Sequence, residues 1–406
     1  MVKDKNKKYV ILVGDGMGDY PLEELDGKTP LEAARTPFMD RLAAQGIMGW
    51  AQTIPSACEP GSDIANLSLM GYDPLKYHTG RAPLEAASLG IRLKDQEVAF
   101  RCNLVHLEHR SSNSVFMGSY SAGHISSEEG RILIQALNEA LGGSGRTFYP
   151  GVSYRHLLVW DGGDPALKTR PPHDLTGQDV TAYLFEDKLL APVTDLIRCS
   201  WPVLEDHPIN RERAGQGKLP ANSIWLWGQG KQPTMPPFLE KYGRKGGIIS
   251  AVDLLRGIGT CLGWEVLPVP GITGYLDTNY RGKAEKTLEA LHDLDLVFVH
   301  VEAPDESSHE GSLEKKIMAI EDFDREIVGR VWEGLKAFED YALMVVTDHF
   351  TPISRMTHTR EPVPMVVFRS ADPPRNPRVR GFSERSAIEG EVAFPKGDEL
   401  MKWFLS

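Results

Sequence analysis

Seven side chains in this chain could pool their chemistry: Asp15, Ser62, Asp305, His309, Asp348, His349 and His358. Carboxylates and imidazoles suit Mn²⁺ or Zn²⁺, and two such ions can hold both the attacking and the departing oxygen of an in-line phosphoryl displacement. A serine hydroxyl is a poor nucleophile at neutral pH, and metal coordination would stabilise its alkoxide. Taken singly, each residue has a plainer reading. Asp15-Gly16 suits a turn after a strand, Ser62 suits a helix cap, and Asp348-His349 suits a strand-end turn. An Asp-x-x-x-His spacing arises by chance, and His358 alone says nothing. The pooled pattern is harder to explain that way.

The elements that must position these groups are three apolar, β-branched runs. The run over 297–304 ends at Pro304 and delivers Asp305 and His309 at i, i+4. The run over 341–347 leads into Asp348-His349, with His358 shortly beyond, and the run over 9–14 leads into Asp15-Gly16. Each reads as a buried strand with a carboxylate at its carboxyl end, where open α/β sheets place their ligands. Around Ser62 the pattern changes to helix-compatible apolar spacing over 62–70, closed by Gly71. Ser62 therefore stands at a helix N-terminus, where backbone amides favour an anion. A second helix is expected over 37–45, capped by Thr36, with Pro37 in its first turn and Gly46 closing it.

Composition bounds the rest. At 406 residues, with 25% charged and 41% hydrophobic residues, the chain is an ordinary globular protein long enough for two domains. A net charge of −11 argues against nucleic acid or an anionic membrane as partner. No run of about eighteen apolar residues is present, so no membrane span is expected, and the basic start lacks the apolar stretch of a secretory signal. Cys58, Cys102, Cys199 and Cys261 are scattered without a Cys-x-x-Cys pair, which fits reduced thiols and a cytoplasmic location.

The α/β rhythm breaks in the middle, where Pro, Gly and charge interrupt short apolar runs, and resumes near 247. We therefore expect an α/β protein whose mostly parallel sheet domain, 1–92 and 236–406, is split by an inserted α+β domain at 93–235. Within the insertion, strands are expected near 97–105, 155–160 and 223–227 and a helix over 126–141; a long helix is expected over 313–338. His78, His106, His109, His124, His207, His292 and His300 read as surface, packing or capping residues. His156 and His173 stand slightly above them because they lie in the insertion.

Three blocks carry a resemblance: Gly14-Asp15-Gly16-Met17-Gly18-Asp19, the stretch from Gly61-Ser62-Asp63 through Asp73-Pro74, and Thr79-Gly80-Arg81-Ala82-Pro83-Leu84-Glu85. With Glu302-Ala303-Pro304-Asp305, Thr347-Asp348-His349 and His358-Thr359, they are similar to the archaeal-type cofactor-independent phosphoglycerate mutases of the alkaline phosphatase superfamily. The resemblance covers nearly the whole chain. It implies an alkaline-phosphatase-like three-layer core and interconversion of 3-phosphoglycerate and 2-phosphoglycerate through a phosphoserine on Ser62, without 2,3-bisphosphoglycerate. It implies one metal held by Asp305, His309 and His358 and another by Asp15, Asp348 and His349, with Ser62 close to both. Manganese is the first expectation, with zinc, cobalt or magnesium as alternatives. The family's inserted domain supplies much of the substrate pocket and closes over it, which keeps water from the phosphoserine. Arginines suit the substrate's phosphate and carboxylate because a guanidinium donates two parallel hydrogen bonds. Arg81, Arg155, Arg211 and Arg213, with His156 and His173, are the substrate-binding candidates; each arginine has a solvated-surface reading beside this one. The alternative activity is a metal-dependent phosphotransferase or phosphatase acting on another small hydroxy acid such as homoserine, and a metal store without turnover would leave Ser62 unexplained.

Overall fold

The computed structural model describes residues 7–111, 114–373 and 381–406. The chain divides into two compact units, one formed by Met1–His78 with Thr234–Ser406 and the other by Thr79–Pro233.

In the first unit the strand Lys8–Gly14 runs parallel between Leu296–Val301 and Tyr341–Val346. Beyond Lys8 all three strands are buried on both faces and, His300 apart, lack charged or titratable imidazole side chains, as a sheet covered on both sides requires. On one face Val10, Leu12, Val297, Val299, Leu343 and Val345 join a core with Ile320, Phe323, Ile327 and Trp332. On the other, Phe404 packs against Tyr9 and Trp264 against Phe298. Outward from Leu296–Val301 the sheet continues in parallel through Gly246–Ile249 to Glu265–Val266. On the opposite side Val363–Arg369 and Ile47–Ala51 add antiparallel, and Val392–Phe394 closes the eight-stranded sheet in parallel. The architecture is α/β with a mostly parallel sheet, as the strand pattern indicated.

Register decides where the chemistry emerges. Val13 lies opposite both His300 and Val346, and Gly14 opposite Val301. The three strands therefore end together, so Asp15, Asp305 and Asp348 leave the sheet at one edge.

Two local details depart from the sequence expectation. The helix Pro37–Gln45 forms and Gly46 closes it onto the Leu42 carbonyl, but the Thr36 side chain does not cap it. Asp324 does so from elsewhere in the chain, accepting the Phe38 and Met39 amides at 3.2 and 2.7 Å. The long helix expected over 313–338 is interrupted. Leu313–Asp322 widens into a π-helical turn over Phe323–Val328 before Gly329–Leu335, and that turn carries Asp324. No helix among the described residues is long and apolar enough to cross a membrane.

The second unit is built on the strand Glu97–Ser111, which pairs antiparallel with Ser114–Ser119, Arg155–Asp161 and Ser223–Gly230; Arg146–Tyr149 adds beyond Arg155–Asp161. The helix Ser127–Leu141 covers it, held at its start by a reciprocal cap between Ser126 and Glu129. The helix Arg81–Ser88 also belongs to this unit, because Ala82 and Ala86 pack with Ala99, Leu157 and Val159. The division between the units accordingly falls at 78/79 and 233/234, against the 92/93 and 235/236 read from the sequence.

Candidate active site

At the edge where the three strands end, the structure gathers two groups of potential ligands. Asp15, Asp348 and His349 form one and Asp305, His309 and His358 the other, with the donor atoms of each group within 4.8 Å of one another. Local geometry explains the second. The helix Ala303–His309 starts straight after its strand, so Asp305 and His309 share a helical face, and His309 Nε2 lies 3.1 Å from Asp305 Oδ2. The loop after Asp348 returns His358, whose Nε2 lies 3.5 Å from Asp305 Oδ1 and 3.0 Å from His309 Nε2. In the first group His349 Nε2 lies 3.3 Å from Asp15 Oδ1 and 3.6 Å from Asp348 Oδ2. The rings of His349 and His358, 4.1 Å apart, adjoin the two groups.

Ser62 opens the helix Ser62–Leu69, and Gly61 rather than Ser62 occupies the cap position. The serine hydroxyl, unused as a cap, lies 3.1 Å from His349 Nε2. Gly16 turns the chain beside these groups at φ +61°, and a Cβ there would stand 2.5 Å from Asp305 Oδ1 and 2.6 Å from Thr351 Oγ1. Only glycine fits both the angle and the space.

A surrounding set of hydrogen bonds fixes the donors. His309 Nδ1 faces the Met356 carbonyl at 2.9 Å, which turns Nε2 toward Asp305. Asp348 Oδ2 accepts from Asn66 Nδ2 at 2.8 Å, and its Oδ1 accepts the Gly16 and His349 amides. Thr351 donates to Asp305 Oδ1. Fully buried Lys316 donates to the Gly18 carbonyl, Asp19 Oδ2 and the Thr351 carbonyl at 3.2, 2.8 and 3.0 Å. One ammonium thus ties the loop after Asp15 to the loop after His349.

The electrostatics at these donors favour positive charge. Burial, and then the charges of Asp348, Asp305 and Glu302, push Asp15 well above the usual carboxylate range. Burial opposes ionisation of Asp305, yet His309 and His358 hold it well below that range. Burial likewise opposes charging of His309, but Asp305 overrides it and carries the imidazole up to about 9. Asp15 Oδ1 is buried without a hydrogen-bond partner among the described residues. Three buried carboxylates, imidazole nitrogens converging on them and an unpaired carboxylate oxygen fit divalent cations of the kind that take mixed oxygen and nitrogen donors.

In the second unit, Arg81 and Arg101 flank Gly228, whose Cβ position lies 3.9 Å from Arg81 Cβ and 3.4 Å from Arg101 Cδ. Arg101 stacks over Trp227 at 4.2 Å and pairs with Glu85 at 3.1 Å; the His173 ring lies 5.4 Å from Trp227. Burial, opposed by Asp174 and assisted by Arg101 and Arg81, lowers His173. Burial also lowers Arg101, with Glu85 opposing and Arg81 and Arg155 adding repulsion, so three arginines share this neighbourhood. The other candidates lie apart from it. Arg213 is buried and spends its guanidinium on the Leu219 and Ala122 carbonyls and Glu129. Arg211 binds the Asp206 carbonyl. His156 is buried, lowered to about 3 by that burial, and accepts the Gly151 amide at Nδ1.

Sequence reasoning passed over Arg101 and His300. Arg101 is the sole Asp, Glu, Lys or Arg between Glu97 and Glu108, a charge kept within an apolar strand. His300 lies in the central strand, 3.0 Å through Nε2 from Asp15 Oδ2.

A family model for 2,3-bisphosphoglycerate-independent phosphoglycerate mutase matches residues 43–210. A protein of Methanosarcina barkeri bearing that name is 51% identical over 97% of this chain and 98% of its own. The chain belongs to this family. A solved structure from Pyrococcus horikoshii is 30% identical with a TM-score of 0.82, covering 98% of this chain and 97% of that one. A cofactor-independent phosphoglycerate mutase from Thermoplasma acidophilum is 27% identical with a TM-score of 0.65, covering 98% and 99%. Independence of 2,3-bisphosphoglycerate is part of the family's definition, so a phosphoryl carrier has to be sought within the chain itself.

Proposed function

We propose that this protein interconverts 3-phosphoglycerate and 2-phosphoglycerate by way of a phosphoserine on Ser62. The observation that carries the reading is the Ser62 hydroxyl, free of capping duty at a helix head and 3.1 Å from His349 Nε2. Ser62 Oγ attacks phosphorus as the bond to the substrate's 3-oxygen breaks, and the serine proton passes to that oxygen. The 2-hydroxyl of the retained glycerate then attacks phosphorus, the bond to Oγ breaks, and the proton of that 2-hydroxyl passes to Ser62 Oγ. No net proton or electron is consumed. The positive end of the helix Ser62–Leu69 would face the transferred dianion in this reading.

We propose two divalent ions, with manganese tested first, one held by Asp15, Asp348 and His349 and the other by Asp305, His309 and His358. Bound there, they neutralise phosphate charge and favour the ionised serine. Lys316 and Asn66 hold the donors in place beforehand. In the inserted unit, Arg81, Arg101, Arg155 and His173 form an anion-recognising cluster that we assign to the substrate's carboxylate or phosphate. We place the protein in the cytoplasm, consistent with four cysteines that form no disulfide.

Replacing Ser62 with Ala tests the carrier role. The Ser62→Ala protein should bind metal as the parent does, lose interconversion, and yield no phosphopeptide spanning residue 62 after quenching with substrate. Interconversion at the parental rate by that variant would refute the assignment.

A further inference from the structure

The strand Leu296–Val301 is apolar except for His300, which is 1% exposed and points at the donors from within the sheet. Its Nε2 lies 3.0 Å from Asp15 Oδ2, but no aligned hydrogen bond among the described residues reaches that nitrogen. A packing role alone accounts poorly for this, since a buried polar atom without a partner is costly and an apolar side chain would fill the strand position without that cost. The other ring nitrogen is provided for. Nδ1 lies 3.5 Å from Ser250 Oγ, and that oxygen accepts the Val252 amide at 3.0 Å. Ser250 Oγ, accepting from Val252, can give its own proton to Nδ1. In the tautomer that this donation selects, Nε2 carries the proton and faces Asp15. The backbone is fixed as well, because Lys283 Nζ donates to the His300 carbonyl at 2.8 Å.

Asp15 shows the complementary asymmetry. Oδ2 faces His300, whereas Oδ1 is buried, unpartnered among the described residues and 3.3 Å from His349 Nε2. We infer that His300 is a positioning residue for Asp15: its Nε2 stands against Oδ2, so that Oδ1 is presented to a cation shared with Asp348 and His349. This rests on the two-metal reading above and adds to it a buried relay, from the Val252 amide through Ser250 and His300 to one ligand oxygen. Groups that orient metal ligands in this way commonly change affinity about 10- to 100-fold when removed.

The test is an Mn²⁺ titration of metal-free protein, reading free Mn²⁺ by electron paramagnetic resonance, with folding checked by circular dichroism. Two binding classes are expected in the parent, and Asp348→Asn should remove the one that includes Asp15. His300→Leu should weaken that same class about 10- to 100-fold and leave the other within about threefold. His300→Gln, which can place an N–H donor near the Nε2 position, should restore most of the loss. Should the leucine variant not fold, Ser250→Ala decides, and it should weaken the same class in the same direction. Parental affinity of both classes in folded His300→Leu, or in Ser250→Ala, overturns the inference. A parent without a class that Asp348→Asn removes overturns the two-metal reading itself, and this inference with it.

Discussion

Replacing Lys316 with Met keeps the length of a fully buried side chain and deletes its charge. Three hydrogen bonds go with the ammonium, to the Gly18 carbonyl, Asp19 Oδ2 and the Thr351 carbonyl. Asp19 is left buried, its carboxylate accepting only the Tyr20 amide at Oδ1 and the Ile353 amide at Oδ2 among those bonds described. Breaking a buried pair from one side costs about 3–5 kcal/mol, because the remaining charge is uncompensated. Spread over a cooperative unit of this size, at roughly 2–4 °C per kcal/mol, the loss corresponds to a fall in Tm of about 6–20 °C. Thermal unfolding of metal-free protein followed by circular dichroism measures it without the confounding effect of bound ions. The double variant Lys316→Met with Asp19→Asn should recover part of the loss, since it removes the stranded charge. A Lys316→Met protein melting within 2 °C of the parent would refute the claim that this ammonium ties the two ligand-bearing loops together.

Burial pushes Asp324 up to about 6, overcoming the Met39 and Phe38 amides that favour its charge. Raised from an ordinary value of about 3.9, it contributes stability that is fully present below pH ~4 and lost as pH rises through ~6, about 3 kcal/mol in all. The difference in unfolding free energy between Asp324→Asn and the parent should therefore move in the variant's favour from pH 4 to pH 7, and a flat or opposite trend in denaturant titrations would contradict it. Arg101→Ala removes a cation from the cluster beside Trp227 and should lower kcat/KM about 10-fold or more, the worth of a charged hydrogen bond. Arg211→Ala, already bonded to the Asp206 carbonyl, should stay within twofold in the same coupled assay.

The parallel sheet was legible because its three central strands are, Lys8 and His300 apart, free of charged and imidazole side chains on both faces and each is followed by a carboxylate. The helix that starts at Ser62 was legible from the glycine before it and the helical spacing after it. What escaped depends on contacts between residues far apart in sequence. The cap of Pro37–Gln45 comes from Asp324, 287 residues beyond Pro37, and no local rule ties the two. Arg101 acquires its meaning from Trp227 and Glu85, brought beside it by strand pairing and a helix. Arg211 and Arg213 resemble substrate ligands by type alone, and only the folded chain shows their donors engaged by backbone carbonyls and Glu129. The division at 78/79 was obscured because the helix Arg81–Ser88 follows the Ser62 helix closely in sequence yet packs on the sheet of the other unit.

The most direct test follows 3-phosphoglycerate by phosphorus nuclear magnetic resonance in the presence of Mn²⁺-loaded protein, with 2,3-bisphosphoglycerate omitted and free phosphate recorded in the same tube. We expect 2-phosphoglycerate to form with little free phosphate, activity to be lost on chelation, and activity to be restored by Mn²⁺. No 2-phosphoglycerate from folded protein of verified metal content, or full activity after verified metal removal, would contradict it.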